Sequence, residues 1–236
     1  TILGPLWFII QPLFTTIIYT LVFGNLAGLS TDGLPQFLFY MAGNVSWLYF
    51  STCLTTTSNT FAGNAGVFGK VYFPRLTTPI STVITSMLNF FIQFAMFLIF
   101  ELYYLIIGAN IHINWYVLLT PVLVIQMALL GLGFGIIISS LTTKYRDLQV
   151  LVSFGVSLWM YATPIVYASS SLSQKAYRIL MFNPIAPIIE IMRYGWLGAG
   201  KVSLLYWGIS WVMTMVVVFV GIIIFNRVEK TFMDTV

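Results

Sequence analysis

Leu204-Leu-Tyr-Trp-Gly-Ile-Ser-Trp-Val-Met-Thr-Met-Val-Val-Val-Phe-Val-Gly-Ile-Ile-Ile-Phe-Asn226 carries no charged side chain and is closed by Arg227. Val216 to Val220 and Ile222 to Ile224 within it do not alternate apolar with polar, as a strand of a membrane barrel must. A bilayer core is crossed by roughly 20 apolar residues wound as a helix, because only then does the segment satisfy its own backbone groups. The stretch therefore reads as a transmembrane helix, and the rest of the chain repeats its pattern. Charge-free runs occupy 1–31, 33–69, 76–100, 102–143, 148–174 and 202–226. Hydrophobic residues make up 59% of the 236 and charged residues only 7%, against about 25% charged in globular proteins. One charge at mid-span costs about 2.5–3.5 kcal/mol on insertion scales, so such clearing answers to a bilayer and not to water.

Glycine, proline and charge punctuation place spans near 6–27, 35–57, 77–107, 115–141, 150–167 and 203–226. The expected fold is an all-α integral membrane protein with six transmembrane helices in a single domain over 1–236. The first stretch lacks a basic n-region and a small-residue cleavage site and is not read as a signal peptide. Lys70 and Arg75, Lys144 and Arg146, and Arg227 and Lys230 follow the even spans, while 28–34 and 108–114 hold no Lys or Arg. Positive loops face the cytoplasm, so both termini are expected inside. The segment 168–201 is the exception, with Lys175, Arg178, Arg193 and Lys201 on the outer side. Asn183-Pro184 there suits an N-cap with Pro at the first helical position. The helix it opens, Ile185 to Gly195, is too short to span. A pair of short re-entrant helices over 170–200 is expected, with Arg178 and Arg193 near headgroup phosphates.

Chemistry is scarce. Cys53 and His112 are each the single residue of their type, which excludes a disulfide and a cysteine or imidazole metal cluster, and both are read as structural. The net charge of +4 is scattered and does not point to nucleic acid. Gly195-Trp-Leu-Gly-Ala-Gly200-Lys201 has the spacing of a phosphate-binding loop, but Val202 stands where Ser or Thr must ligate magnesium. Gly131-Leu-Gly133-Phe-Gly135 mimics a dinucleotide fingerprint inside a span, where small residues four apart serve close helix packing. Glu101 is the one carboxylate inside a span, and a lone carboxylate near an interface makes a poor relay, which disfavours ion coupling.

Aromatic residues are the positive signal: 40 of 236 are Phe, Tyr or Trp. Rings stack on the apolar faces of sugars while Tyr and Trp keep a polar handle. Phe90, Phe94, Phe97 and Phe100, a stripe at helical spacing, are expected to face lipid. Trp47, Tyr49, Trp159 and Tyr161 lie mid-span near Asn44, Ser46 and Ser157 and are candidates to line a channel. Residues 61–76 suit a short amphipathic helix ending before Pro74, able to lie on the membrane or dock on a partner.

Four motifs appear in order along the chain: Leu3-Gly-Pro-Leu-Trp-Phe-Ile-Ile-Gln-Pro12, Val71-Tyr-Phe-Pro-Arg75 with Pro79, Tyr145-Arg-Asp-Leu148, and Asn183-Pro-Ile-Ala-Pro187 with Arg193. Together they resemble the membrane subunit of bacterial ABC exporters of cell-surface polysaccharides, the O-antigen and teichoic-acid exporters among them. The amphipathic helix that this family carries before its first span is not represented. The resemblance implies a homodimer in the bacterial inner membrane, surrounded by membrane lipids and joined by two copies of a cytoplasmic ATP-binding subunit. That subunit would bind ATP and Mg, leaving this chain without an ATPase site or cofactor of its own. The substrate it implies is a lipid-linked polysaccharide of the O-antigen kind. Carried onto this sequence, the resemblance makes Phe14, Tyr19, Trp47, Tyr49, Trp159 and Tyr161 channel lining. It makes Val67, Phe68, Gly69, Lys70, Tyr72 and Arg75 the coupling helix within 61–76, and Arg178, Asn183, Pro184 and Arg193 part of an outer gate. Two alternatives stay open: an ABC exporter of small drugs or lipids, and an ion-coupled transporter.

Overall fold

A computed structural model describes residues 3–68, 74–142 and 147–233, and the coupling positions Gly69, Lys70 and Tyr72 lie outside them. No strand occurs among the described residues. Helix α1 (Leu3–Tyr19) runs on as a π-helical turn over Thr20–Leu26, followed by α2 (Gln36–Ser58), α3 (Thr60–Phe68) and α4 (Thr77–Ile106). A 3-10 turn (Trp115–Leu119) leads into α5 (Thr120–Thr142). Then come α6 (Leu148–Tyr161), α7 (Gln174–Met181), α8 (Ala186–Leu197) and α9 (Leu204–Met233). Among the described residues four stretches are long and apolar enough to cross a membrane: Leu6–Leu26, Thr77–Ile106, Trp115–Thr142 and Leu204–Val228. These coincide with the expected first, third, fourth and sixth spans.

The second expected span is a helix of 23 residues of another kind. Helix α2 packs against α1, α4, α5, α6 and α8, and Leu38, Phe39, Tyr40, Met41, Phe50 and Leu54 on its several faces are all buried. Being walled by protein, it tolerates Gly43, Asn44 and Ser46, which lipid would penalise. Asn44 Nδ2 donates to the carbonyl of Pro12 at 3.3 Å and to Thr16 Oγ1 at 3.4 Å, fastening α2 to α1 where a mid-helix proline removes a backbone donor. The fifth expected span, 150–167, is shorter than its sequence suggests. Helix α6 stops at Tyr161, three residues before Pro164, and its 14 residues rise only about 21 Å.

Helix α5 is the second axis, flanked by α2 on one side and α9 on the other. A Cβ on Gly131 would lie 3.1 Å from the Phe50 carbonyl, and one on Gly135 3.0 Å from the Leu54 carbonyl. A Cβ on Gly133 would meet the Val218 backbone on α9. The glycine run is thus a two-sided packing seam. The phenylalanine stripe of α4 corrects its lipid-facing expectation, because it turns toward protein. Phe90 and Phe97 are buried, Phe90 meets Tyr49 at 4.9 Å, Phe94 meets Trp196 at 5.2 Å, and Phe100 meets Phe37 at 4.9 Å between centroids. Lipid is left instead with intervening residues such as Leu88, Phe91 and Ile99.

Two short helices occupy 170–200. Ser173 caps α7, its hydroxyl accepting from Ala176 N, and α8 ends on Gly198 in the left-handed region at φ +80, the conformation that suits a glycine stop. Helix α8 opens at Ala186 with Pro187 in its first turn, one residue later than expected. Asn183 builds the preceding turn, its Oδ1 accepting from Ile185 N. The phosphate-loop mimic resolves here too. Gly195 to Leu197 is the last turn of α8, whose carbonyls accept from His112 N and Asn114 N of the α4–α5 connection. A helix C-terminus offers carbonyls and not the N–H groups that cradle phosphate.

Candidate functional site

Three surfaces hold the expected site residues. The first is the seam between α1 and α6, where Tyr19 Oη donates to Met160 Sδ at 3.0 Å between Trp159 and Tyr161. Phe14 stands five residues earlier on α1 and is 62% exposed, and Tyr161 is exposed as well. Trp159 is half-buried, its ring edge-on to Phe50 at 5.3 Å and Phe134 at 5.2 Å, while Trp47 lies behind it at 6.3 Å. Trp47 is therefore a buried support for Trp159. Tyr49 points to the opposite side of α2, buried against Phe90. The structure thus brings Tyr19, Trp159 and Tyr161 together, sets Phe14 on the neighbouring open face, and separates Tyr49 from them.

Helix α6 adds residues that the aromatic signal did not single out. Gln149, Ser153, Ser157 and Tyr161 recur every fourth position, which places them along one stripe of the helix. Ser153, Ser157 and Tyr161 are exposed and Gln149 is half-buried. The Ser153 and Ser157 hydroxyls donate to the Gln149 and Ser153 carbonyls at 3.2 and 2.9 Å, leaving their oxygens as acceptors. Beside the stripe, Val150, Leu151, Phe154 and Leu158 are open. The signal was in the sequence as an i, i+4 period, hidden by the hydrophobicity around it. Such a face pairs hydroxyl acceptors with apolar surface, the two needs of a sugar ring.

The second surface is at the end of the bundle that carries α3. Phe61 N donates to Ser139 Oγ at 3.1 Å, and its ring stacks on Phe225 at 4.5 Å, seating α3 on α5 and α9. Gln149 Nε2 donates to Asn59 Oδ1 at 2.6 Å, tying the start of α6 to the α2–α3 junction. Val67 and Phe68 close α3. Arg75 is buried in the turn before α4.

The third surface is at the opposite end. Asn183 Oδ1 accepts from Trp159 Nε1 at 2.9 Å, and its Nδ2 donates to the Ala162 carbonyl at 3.0 Å and Thr163 Oγ1 at 2.9 Å, so one amide holds the α7–α8 turn to the end of α6. The Pro184 carbonyl accepts from Ser210 Oγ, whose oxygen takes a bond from Gln126 Nε2. Arg178 is exposed. Arg193 corrects the headgroup expectation, being 1% exposed. Its Nη1 reaches Glu190 Oε1 at 3.2 Å, its Nη2 donates to the Pro164 and Ile165 carbonyls, and the guanidinium lies 3.8 Å from the Phe39 centroid. Glu190 also accepts from Ser169 Oγ at 2.8 Å. Burial pushes the Glu190 carboxyl above its ordinary range, and the Arg193 guanidinium and Ser169 hydroxyl pull it back. Asp32, from the α1–α2 connection, accepts from Ser170 beside this cluster. Glu101 is buried on α4, its Oε1 without a hydrogen-bond partner among the described residues. No group of His, Cys, Asp or Glu suited to a metal occurs among the described residues.

A chain whose described residues form helices and no strand, with an exposed, partly polar short helix, matches a known family. Residues 1–197 fit the ABC-2 type transporter family. This chain belongs to that family. Among its relatives, the O-antigen export system permease protein RfbA of Klebsiella pneumoniae is 30% identical over 239 residues, covering 99% of this chain and 88% of the relative. RfbA of Myxococcus xanthus is 29% identical over 191 residues, 80% of this chain and 70% of the relative. The polysialic acid transport protein KpsM of Escherichia coli is 23% identical over 240 residues, 99% and 89% of the two chains. As an ABC-2 type membrane subunit the chain is a transporter permease.

Proposed function

We propose that this chain is the channel-forming subunit of an ATP-driven exporter that moves a lipid-linked, O-antigen-like polysaccharide across the bacterial inner membrane. It works as a homodimer with two copies of a cytoplasmic ATP-binding subunit, which hold the ATP and Mg. The observation that carries this reading is the open α1/α6 face, where the Gln149, Ser153, Ser157 and Tyr161 stripe runs beside Tyr19 and Trp159. Against lipid such hydroxyls are wasted, whereas against a second copy they wall a path for a polyhydroxylated chain. The names of the relatives, which speak of O-antigen and polysialic acid, support the same substrate class.

The six-span topology completes the reading, with α2 and α6 crossing inside the assembly and α7 and α8 re-entering from the outer side. Arg193 counts little toward the outer positive charge, since Glu190 offsets it within the protein, and this favours both termini inside. ATP binding closes the partner subunits on α3 and the 69–75 segment. Helix α3 passes the movement to α5 and α9 through Phe61 and to α6 through Asn59 and Gln149. The two α1/α6 faces then part, and Asn183 couples the outer turn to the end of α6.

The test is a strain lacking this chain, complemented with the native protein or with Ser157→Trp. Export predicts that the deletion retains lipid-linked glycan inside and that Ser157→Trp, at an exposed site, inserts normally yet fails to restore surface glycan. Surface glycan unchanged by the deletion, or a purified chain that never associates with an ATP-binding protein, overturns the proposal.

A further inference from the structure

Between the end of α6 and α7 lies an open groove of about 480 Å³, lined mainly by apolar atoms of Trp159, Ala162, Tyr167, Ala176, Ile179 and Leu180. Beyond the Ile179 side of that groove α7 turns basic. At about 100° per residue, Ala176, Ile179 and Leu180 share the groove face of α7, Lys175 stands about 40° beyond Ile179, and Arg178 about 60° further. Both cations are exposed. Between them on the same wheel falls Phe182, 58% exposed, while Ile179 is 75% exposed, so this helix offers water an apolar surface that it has no reason to offer.

Among the described residues neither cation is held in an ion pair. Helix α7 itself has no Asp or Glu, Glu190 is buried with Arg193, and Asp32 is engaged by Ser170. Lys201 lies on the other side of α7, its Nζ 5.9 Å from the Tyr177 centroid, and takes no part. A short helix whose two cations stand beside exposed Phe182 and Ile179 suits the boundary between headgroups and acyl chains.

We propose that this groove holds an anionic phospholipid, its acyl chain against Trp159, Ala162, Ile179 and Leu180 and its phosphate between Lys175 and Arg178. The assignment needs the chain to sit in a membrane but does not depend on what it exports. Because Asn183 ties Trp159 to the α7–α8 turn, the lipid would brace α7 against α6 at the outer mouth.

The full chain, purified from membranes, is titrated with phosphatidylglycerol or phosphatidylcholine and bound lipid is counted by native mass spectrometry. Phosphatidylglycerol is expected to be retained about tenfold over phosphatidylcholine. Lys175→Gln with Arg178→Gln, both at exposed positions, abolishes the preference, and Ala176→Trp, which fills the groove, lowers retention of both lipids. Equal retention of the two lipids by the native chain, or phosphatidylglycerol binding undiminished in the double variant, overturns the proposal. So does capture of an isoprenoid pyrophosphate in place of phospholipid. Failure of any export assay leaves this count unaffected, so the two proposals fall separately.

Discussion

At the residue scale, the α7–α8 end of the bundle is organised by two polar side chains. Removing one partner of a buried ion pair strands the other charge and costs about 3–5 kcal/mol. Arg193→Ala leaves Glu190 buried against Ser169, together with two orphaned carbonyls at Pro164 and Ile165. A loss in that range is expected in denaturant or thermal unfolding of the purified chain. Glu190→Leu combined with Arg193→Met recovers most of it, because no buried charge remains; a double variant as unstable as Arg193→Ala would show that the carbonyl bonds, and not the charge pair, hold the turn. Asn183→Ala is milder, since it strands the Trp159 indole N–H and frees the Ala162 carbonyl. Its four bonds are part-buried or exposed, so a total loss of about 1–3 kcal/mol is expected, seen as lowered stability with increased proteolysis near Thr163. The Arg193 pairing was legible as Glu190 three residues earlier. Its burial was not, because a sequence with cations on an outer loop suggests headgroups before it suggests a salt bridge closed beneath Phe39.

At the element scale, what the sequence disclosed depended on what each helix faces. Helices α1, α4 and α9 are open along much of their length, and α5, though more than half buried, keeps an unbroken apolar run, so hydrophobicity announces all four. Helix α2 faces other helices, and its polar and small residues blur the same signal. Helix α6 is short and mostly apolar, so hydrophobicity alone carries the expected span on to 167, although Thr163 and Pro164 already end the helix. The two glycine environments give a contrast. A Cβ at Gly135 meets Thr57 and the Leu54 carbonyl, whereas one at Gly155 on α6 meets nothing within 4 Å. Gly135→Leu should overpack the α5/α2 seam and lower stability by about 1–3 kcal/mol. Gly155→Ala should raise it by about 0.5–1 kcal/mol through the helix preference of alanine. Paired melting curves in one detergent check both signs, and a destabilised Gly155→Ala would mean that α6 is packed more tightly than its exposure indicates.

At the scale of the whole molecule, the α3 end and the α7–α8 turn are joined by α6 alone among the described short elements. Its first turn is bonded to Asn59 through Gln149, and its last to Asn183 through Trp159. A helix held at both ends by side-chain amides, and otherwise largely open, can move as a rod without breaking the α2/α5/α9 core. In the proposed exporter this makes Gln149 a positioning residue between the ATP-binding partner and the channel. Gln149→Ala deletes one exposed hydrogen bond, worth about 0.5–1.5 kcal/mol, so folding and assembly with the ATP-binding subunit should be nearly unchanged. Export should fall several-fold while ATP hydrolysis by the assembled complex persists, because the stroke still reaches α5 and α9 through Phe61. Phe61→Ala removes the other arm, leaving a cavity beside Phe225 and weakening both hydrolysis-coupled movement and stability. The ratio of glycan exported to ATP hydrolysed separates the two: it drops for Gln149→Ala at constant hydrolysis if α6 is driven through Asn59. A drop of both in proportion would instead place Gln149 in the assembly of the complex and remove α6 from the transmission path.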